Sequence, residues 1–123
     1  MPKFQFVLLY VESPAASAAF YARLFGVSPI EQSPSFAMLP LGEGVMLGLW
    51  QRGGVVPVVT AAPGGGEIAL VVADRAAVTE THADWAAKGA TIAQAPCAMD
   101  FGFTFTALDP DGHRIRILTP EQP

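Results

Sequence analysis

One stretch of this sequence is written twice. Residues 7–13 (VLLYVES) and residues 68–74 (IALVVAD) share a pattern at a constant offset, an apolar run ending in Ser13 or Asp74. Either residue can cap a helix by accepting a hydrogen bond from the first turn. A segment of helical spacing follows each run, and glycine closes it, Gly26 in the first half and Gly89 in the second. Three strand-like segments then follow each helix. The likeness lies in pattern more than identity. A chain that repeats strand, helix and three strands is restricted to a small set of architectures.

The first strand is expected over residues 4–11, and its apolar residues on both faces predict a central strand covered on both sides. Ser13-Pro14 opens the helix, with Pro in the first turn. Ala16, Ala19, Phe20, Arg23 and Leu24 recur at helical spacing. Short strands are expected at 28–32 and 35–41, and a further one at 45–51 after the Gly42-Glu43-Gly44 turn. In the second half, a strand over 67–73 leads into a helix from Asp74 to about Lys88. A short strand over 90–95 and a loop over 96–100 come next.

The last stretch, residues 101–118, reads as two strands around Asp109-Pro110-Asp111-Gly112. Pro suits the second turn position, and Gly suits the left-handed residue that ends a type I turn with a bulge. That turn pairs Asp109 with His113. It puts Phe105, Ala107, Ile115 and Ile117 on one face and Thr104, Thr106, Arg114 and Arg116 on the other. The prediction is therefore an α+β fold of two βαβββ modules, 1–51 and 67–123, joined by a linker loop over 52–66 in one structural domain. The glycines at 64–66 lack the Lys-Ser/Thr of a phosphate-binding loop.

Composition removes several function classes. The chain has 123 residues, of which 51 % are hydrophobic and 15 % charged, so a core is easily built and apolar surface is left over. A net charge of −4 and the lack of a basic run argue against nucleic acid. The apolar run at 4–10 is too short to span a membrane and lacks a signal-peptide layout. The single Cys97 can form neither an internal disulfide nor a thiolate cluster, which suits a reducing, cytoplasmic setting. Cys97 also has no neighbouring His or basic group to activate it as a nucleophile. No Gly-x-Ser-x-Gly or His-Glu-x-x-His stretch is present. His82 and Trp85 on the second helix read as packing residues, and His113 as structural or solvent-exposed.

The chain resembles the glyoxalase/bleomycin-resistance/dioxygenase superfamily, also called vicinal oxygen chelate, over nearly its whole length. The strongest element is Asp109-Pro110-Asp111-Gly112-His113-x-Ile115, followed by LLYVESPAASAAFYARLFG at 8–26. Within the superfamily it looks most like phenazine-resistance and related antibiotic-binding members, on 36–39, Trp50, Glu67-Ile68, Phe101-Gly102-x-Thr104-Phe105 and 109–116. The resemblance implies a curled mixed sheet around a cleft and often a homodimer. Enzyme members hold one divalent metal with His, Glu or Gln from four strands, whereas others bind drugs without metal. Those four positions match Phe6, Gly48 or Trp50, Glu67 and Arg116 here, and only Glu67 could coordinate. One carboxylate does not make a catalytic site, and an always-charged Arg repels a cation. No metal and no cofactor are therefore expected.

Strand parity gives the expected lining of the cleft. Phe6, Leu8, Tyr10, Phe36, Met38, Met46, Gly48 and Trp50 would line it in the first half. Glu67, Ala69, Val71, Thr104, Thr106, Arg114 and Arg116 would do so in the second. The ligand-binding candidates are Trp50, Arg116, Glu67, Phe36, Met46, Tyr10, Thr104 and Phe101. Trp50 can equally cap the core, Phe36 can belong to it, and Arg116 and Glu67 can simply pair. Parity does not place Phe101, which is either a rim or a dimer contact. One reading of function is metal-independent sequestration of a planar aromatic molecule, an antibiotic above all. A second is a metal-dependent lyase or dioxygenase with a non-standard site, and a third an accessory domain that only dimerises.

Overall fold

The computed structural model describes residues 1–122. The chain divides into two compact units, Met1–Ala61 and Ala62–Pro123. Each is a βαβββ module with its own four-stranded mixed sheet, and neither sheet closes on itself.

The first unit contains β1 (Phe6–Val11), α1 (Pro14–Phe25), β2 (Glu31–Gln32), β3 (Phe36–Gly42) and β4 (Val45–Gln51). Its strand order is β1-β4-β3-β2, with β1 parallel to β4 and the other pairs antiparallel. The Ser13 hydroxyl accepts from the Ala16 N–H at 3.2 Å, Pro14 occupies the first turn, and the Gly26 N–H closes the helix onto the Ala22 carbonyl. The buried helix face is Pro14, Ser17, Ala18, Phe20, Tyr21 and Leu24. Ala16, Ala19 and Arg23, expected on that face, are exposed. In an alanine-rich helix the large side chains Phe20, Tyr21 and Leu24 decide the buried stripe, because they gain most from leaving water. They cover Val11, Ala37, Leu39, Leu47 and Leu49, all 1 % exposed or less.

The second unit contains β5 (Glu67–Val71), α2 (Arg75–Ala87), β6 (Thr91–Met99), β7 (Gly102–Leu108) and β8 (Arg114–Pro120), in sheet order β5-β8-β7-β6. Asp74 caps α2 by accepting from the Ala77 N–H at 2.8 Å. Trp85 and His82 lie edge-on to Phe105, at 5.6 and 5.3 Å between ring centroids. Both are packing residues, as expected.

Three expectations are corrected. β1 is at the end of its sheet rather than central. Its two-faced apolarity has another cause: Val11 is buried on the helix side, while Phe6 and Leu8 remain 42 % and 45 % exposed on the other. The expected strand at 28–32 shrinks to Glu31–Gln32. Strand β6 runs through the expected loop at 96–100 as far as Met99. It tolerates Pro96 because it is an edge strand with a register shift between Gln94 and Cys97.

The DPDG turn forms as read. The Asp109 N–H donates to the His113 carbonyl at 2.9 Å, and the Gly112 N–H donates to the Asp109 carbonyl at 3.0 Å. The Asp109 carboxylate accepts from the Asp111 and His113 N–H groups, each at 2.9 Å. Gly112 sits at φ +94°, where a side chain would be strained. This turn fixes the β7–β8 register, with Phe105 opposite Ile117 and Thr106 opposite Arg116. Among the described residues no helix is long and apolar enough to cross a membrane.

Candidate functional site

Each sheet has one face against its helix and one open face within its unit. In the first unit the register brings Tyr10, Trp50 and Phe36 into one row across β1, β4 and β3. Leu8, Gly48 and Met38 form the next row, and Phe6, Met46 and Pro40 the third. Alternation puts all of them on the open face. Tyr10 and Trp50 meet edge-to-face at 6.1 Å.

Gly48 is the centre of this surface. A Cβ built on it would fall 2.6 Å from Leu8 Cδ2 and 2.9 Å from Phe36 Cζ. The missing side chain lets Leu8 and Phe36 lie over β4, making a continuous apolar platform between Met46 and Trp50. Such a surface offers ring faces, ring edges and thioethers, and it suits a flat, polarisable molecule. A separate hollow of about 470 Å³ in the same unit is lined by Ser13, Ala37 and Gln51 among others. Ala37 and Gln51 have helix-side parity, so this hollow is not part of the platform.

The open face of the second unit is polar. Arg116 Nε and Nη2 donate to the two Glu67 carboxylate oxygens at 2.5 and 3.3 Å. Arg116 Nη1 donates to Gln94 Oε1 at 2.9 Å and to Thr104 Oγ1 at 3.2 Å. Thr104 donates onward to the Ile117 carbonyl at 2.8 Å, and Thr106 donates to Gln94 Oε1 at 3.2 Å. The Phe101 ring centre lies 5.7 Å from the guanidinium carbon. The Arg116 and Glu67 side chains are 14 % and 31 % exposed. A two-point ion pair at that depth is held by geometry as well as charge.

The structure thus groups the predicted residues into two sets. Trp50, Tyr10, Phe36 and Met46 share the first unit's open face. Arg116, Glu67, Thr104 and Phe101 form one connected cluster in the second. Thr104 is fully buried beneath the cluster, while Phe101, which parity did not place, sits beside Arg116 at 44 % exposure.

Sequence reasoning missed Gln94 and Met99. Gln94 Nε2 donates towards Cys97 Sγ at 3.4 Å and Met99 Sδ at 3.3 Å. In a regular strand Gln94 and Cys97 would face opposite ways. The extra residue between the Gln94–Thr106 and Cys97–Thr104 pairs puts both on the open face. Pro96 inside a strand is the sequence signal for that bulge.

The residues at the four metal-ligand positions do not fit a divalent ion. Phe6 and Gly48 offer no side-chain donor, the Glu67 carboxylate is held by Arg116, and Arg116 is cationic. Among the described residues no three His, Cys, Asp or Glu side chains converge on one point.

The model of the Glyoxalase/Bleomycin resistance protein/Dioxygenase superfamily matches residues 3–117. A phenazine antibiotic resistance protein from Enterobacter agglomerans is 28 % identical over 113 residues, covering 89 % of this chain and 86 % of that protein. A protein from Agrobacterium tumefaciens, solved in solution by NMR, is 46 % identical with a TM-score of 0.89, covering 98 % of this chain and 99 % of its own. A glyoxalase-related enzyme from Fulvimarina pelagi shares the fold at 24 % identity and a TM-score of 0.85, covering 97 % of this chain and 88 % of its own. With the duplicated βαβββ plan and a family match over most of its length, the chain belongs to the glyoxalase/bleomycin-resistance/dioxygenase superfamily.

Proposed function

We propose that this protein binds and sequesters a planar aromatic small molecule, an antibiotic above all, without a metal ion. The observation that carries this reading is the platform around Gly48, where Leu8 and Phe36 close over β4 beside Trp50 and Tyr10. Trp50, Tyr10, Phe36 and Met46 are the stacking contacts. In the second unit the candidates Arg116, Glu67 and Phe101 form a separate polar surface, with Thr104 holding Arg116 from below. The E. agglomerans resistance protein supports the antibiotic class. The lyase or dioxygenase alternative is disfavoured by the donor set, which lacks the three ligands such chemistry needs. Homodimerisation and a cytoplasmic location belong to the same reading, and sedimentation equilibrium tests the first.

Neutral phenazine is the probe. Trp85 lies under the second sheet at 3 % exposure, so a Trp85→Phe background leaves Trp50 as the reporter. Saturable quenching of Trp50 is the expected result. No quenching by phenazine or by other flat tricyclic compounds would refute the reading.

A further inference from the structure

Arg116 is the obvious cation for an acidic ligand, but its guanidinium is already committed. Glu67 takes two of its nitrogens, and Gln94 with Thr104 takes the third. The register makes Arg114, not Arg116, the direct neighbour of Glu67 across β5 and β8. The carboxylate nevertheless reaches diagonally to Arg116. Arg114 is left exposed, two residues along the same strand and on the same open face, and no ion pair holds it among the described residues. Arg114 and Arg116 line one hollow of about 380 Å³ with Thr106, Gln94, Ala93 and Met99.

The chemistry of that hollow is uneven. Gln94 Oε1 is filled by Arg116 and Thr106, and Gln94 Nε2 is turned to sulfur. Glu67 is neutralised by its partner. The group with unspent charge and donors is therefore Arg114, while Met99, 45 % exposed, and Ala93 offer apolar wall. A guanidinium fork matches a carboxylate in shape and charge. A methionine beside it suits a ring.

We propose that this hollow is a subsite for an aromatic carboxylate, with Arg114 as the residue that captures the anion and Met99 against the ring. Arg116 is the positioning residue: tied to Glu67, Gln94 and Thr104, it shapes the floor and keeps Glu67 from cancelling Arg114. The inference rests on the aromatic-ligand reading above and adds to it, on the second unit alone, a preference for aromatic acids.

The experiment titrates benzoate, with benzamide as its neutral counterpart, into the 15N-labelled full chain. Amide signals of Ala93, Gln94 and Thr106 and the Arg114 side-chain signal report binding. Saturable benzoate shifts at these groups are expected, with benzamide at least tenfold weaker. Arg114→Gln should weaken benzoate at least tenfold and erase the preference over benzamide, and Arg114→Lys should restore part of it. Among the described residues the Arg114 side chain makes no hydrogen bond, so unchanged signals elsewhere will show an intact fold. Benzoate binding unaltered by Arg114→Gln, or no benzoate shifts at these groups, would overturn the subsite. Failure of the stacking reading shows separately, as phenazine that does not quench Trp50 while benzoate still binds.

Discussion

In the first unit the middle row of the open face is Leu8, Gly48 and Met38, with Glu31 beyond them on the two-residue edge strand β2. At the matching places of the second unit the row is Ala69, Arg116, Thr106 and Gln94. The repeat that aligns residues 7–13 with 68–74 likewise sets Phe6 against Glu67. Phe6 and Gly48 therefore occupy the places that Glu67 and Arg116 occupy in the second module. Behind both faces the design is shared, with a helix over a layer of fully buried aliphatic and aromatic side chains. The helix-facing residues are constrained by packing, so both copies keep them apolar. The open faces carry no such constraint, and they have diverged into an apolar platform and a hydrogen-bonded network. Removing a side chain at Gly48 and placing the longest cation at Arg116 are opposite answers at one position of the sheet.

That contrast predicts opposite responses to substitution. Arg116→Met should be the most costly change on either open face, at about 2–3 kcal/mol, since it strands the Glu67 carboxylate and the Gln94 and Thr104 acceptors. Phe6→Met, at the place that matches Glu67, should stay within about 0.5 kcal/mol. Urea unfolding measures both, and a double-mutant cycle with Glu67→Gln should show strong coupling. Additive effects would mean that the second face is no network.

Trp50→Ala should weaken phenazine binding by about 1–3 kcal/mol while leaving the fold intact, read by calorimetry. Unchanged affinity would return Trp50 to a packing role. Gly48→Ala sharpens the same point from beneath. Its methyl must push aside Leu8 and Phe36, at a cost to stability of about 1–2 kcal/mol, and phenazine affinity should fall with it. Affinity maintained in a folded Gly48→Ala protein would show that the platform needs no flat centre.

The smallest effect belongs to the Arg75–Glu121 pair at 2.7 Å, which lies on the surface of the second unit. The hydrogen bond from Arg75 lowers the Glu121 carboxyl below its ordinary value. A lowered carboxylate contributes stability above its unfolded pKa of about 4.3. That contribution is lost as pH falls through the lower folded value. Glu121→Gln should thus be only slightly less stable than the parent at neutral pH, because exposed pairs are weak, and that small difference should disappear as pH falls through the acid range. A large difference at neutral pH would contradict this assignment.

Much of this architecture is written in short-range signals. Ser13 and Asp74, the closing glycines and the DPDG turn each act within a few residues, so the helices and the last hairpin were legible at once. The β7–β8 register followed from one turn, and with it the side of the sheet on which Arg116 stands. What escaped depends on longer-range geometry. Sequence alone misplaces the face of α1, because Ala16 and Ala19 look as apolar as Ala18 until Phe20, Tyr21 and Leu24 choose the stripe. Gln94 was missed because a bulge, not alternation, turns it to the open face. Parity makes a Glu67–Arg116 pair readable in the sequence, but the diagonal reach of Glu67 past Arg114 depends on side-chain conformations that no sequence pattern specifies.

The most direct test of the central claim is the affinity of the metal-depleted protein for neutral phenazine, measured by Trp50 quenching with and without excess zinc. Equal, saturable binding in both conditions is the predicted result. Binding that appears only when zinc is restored would contradict a metal-independent aromatic platform.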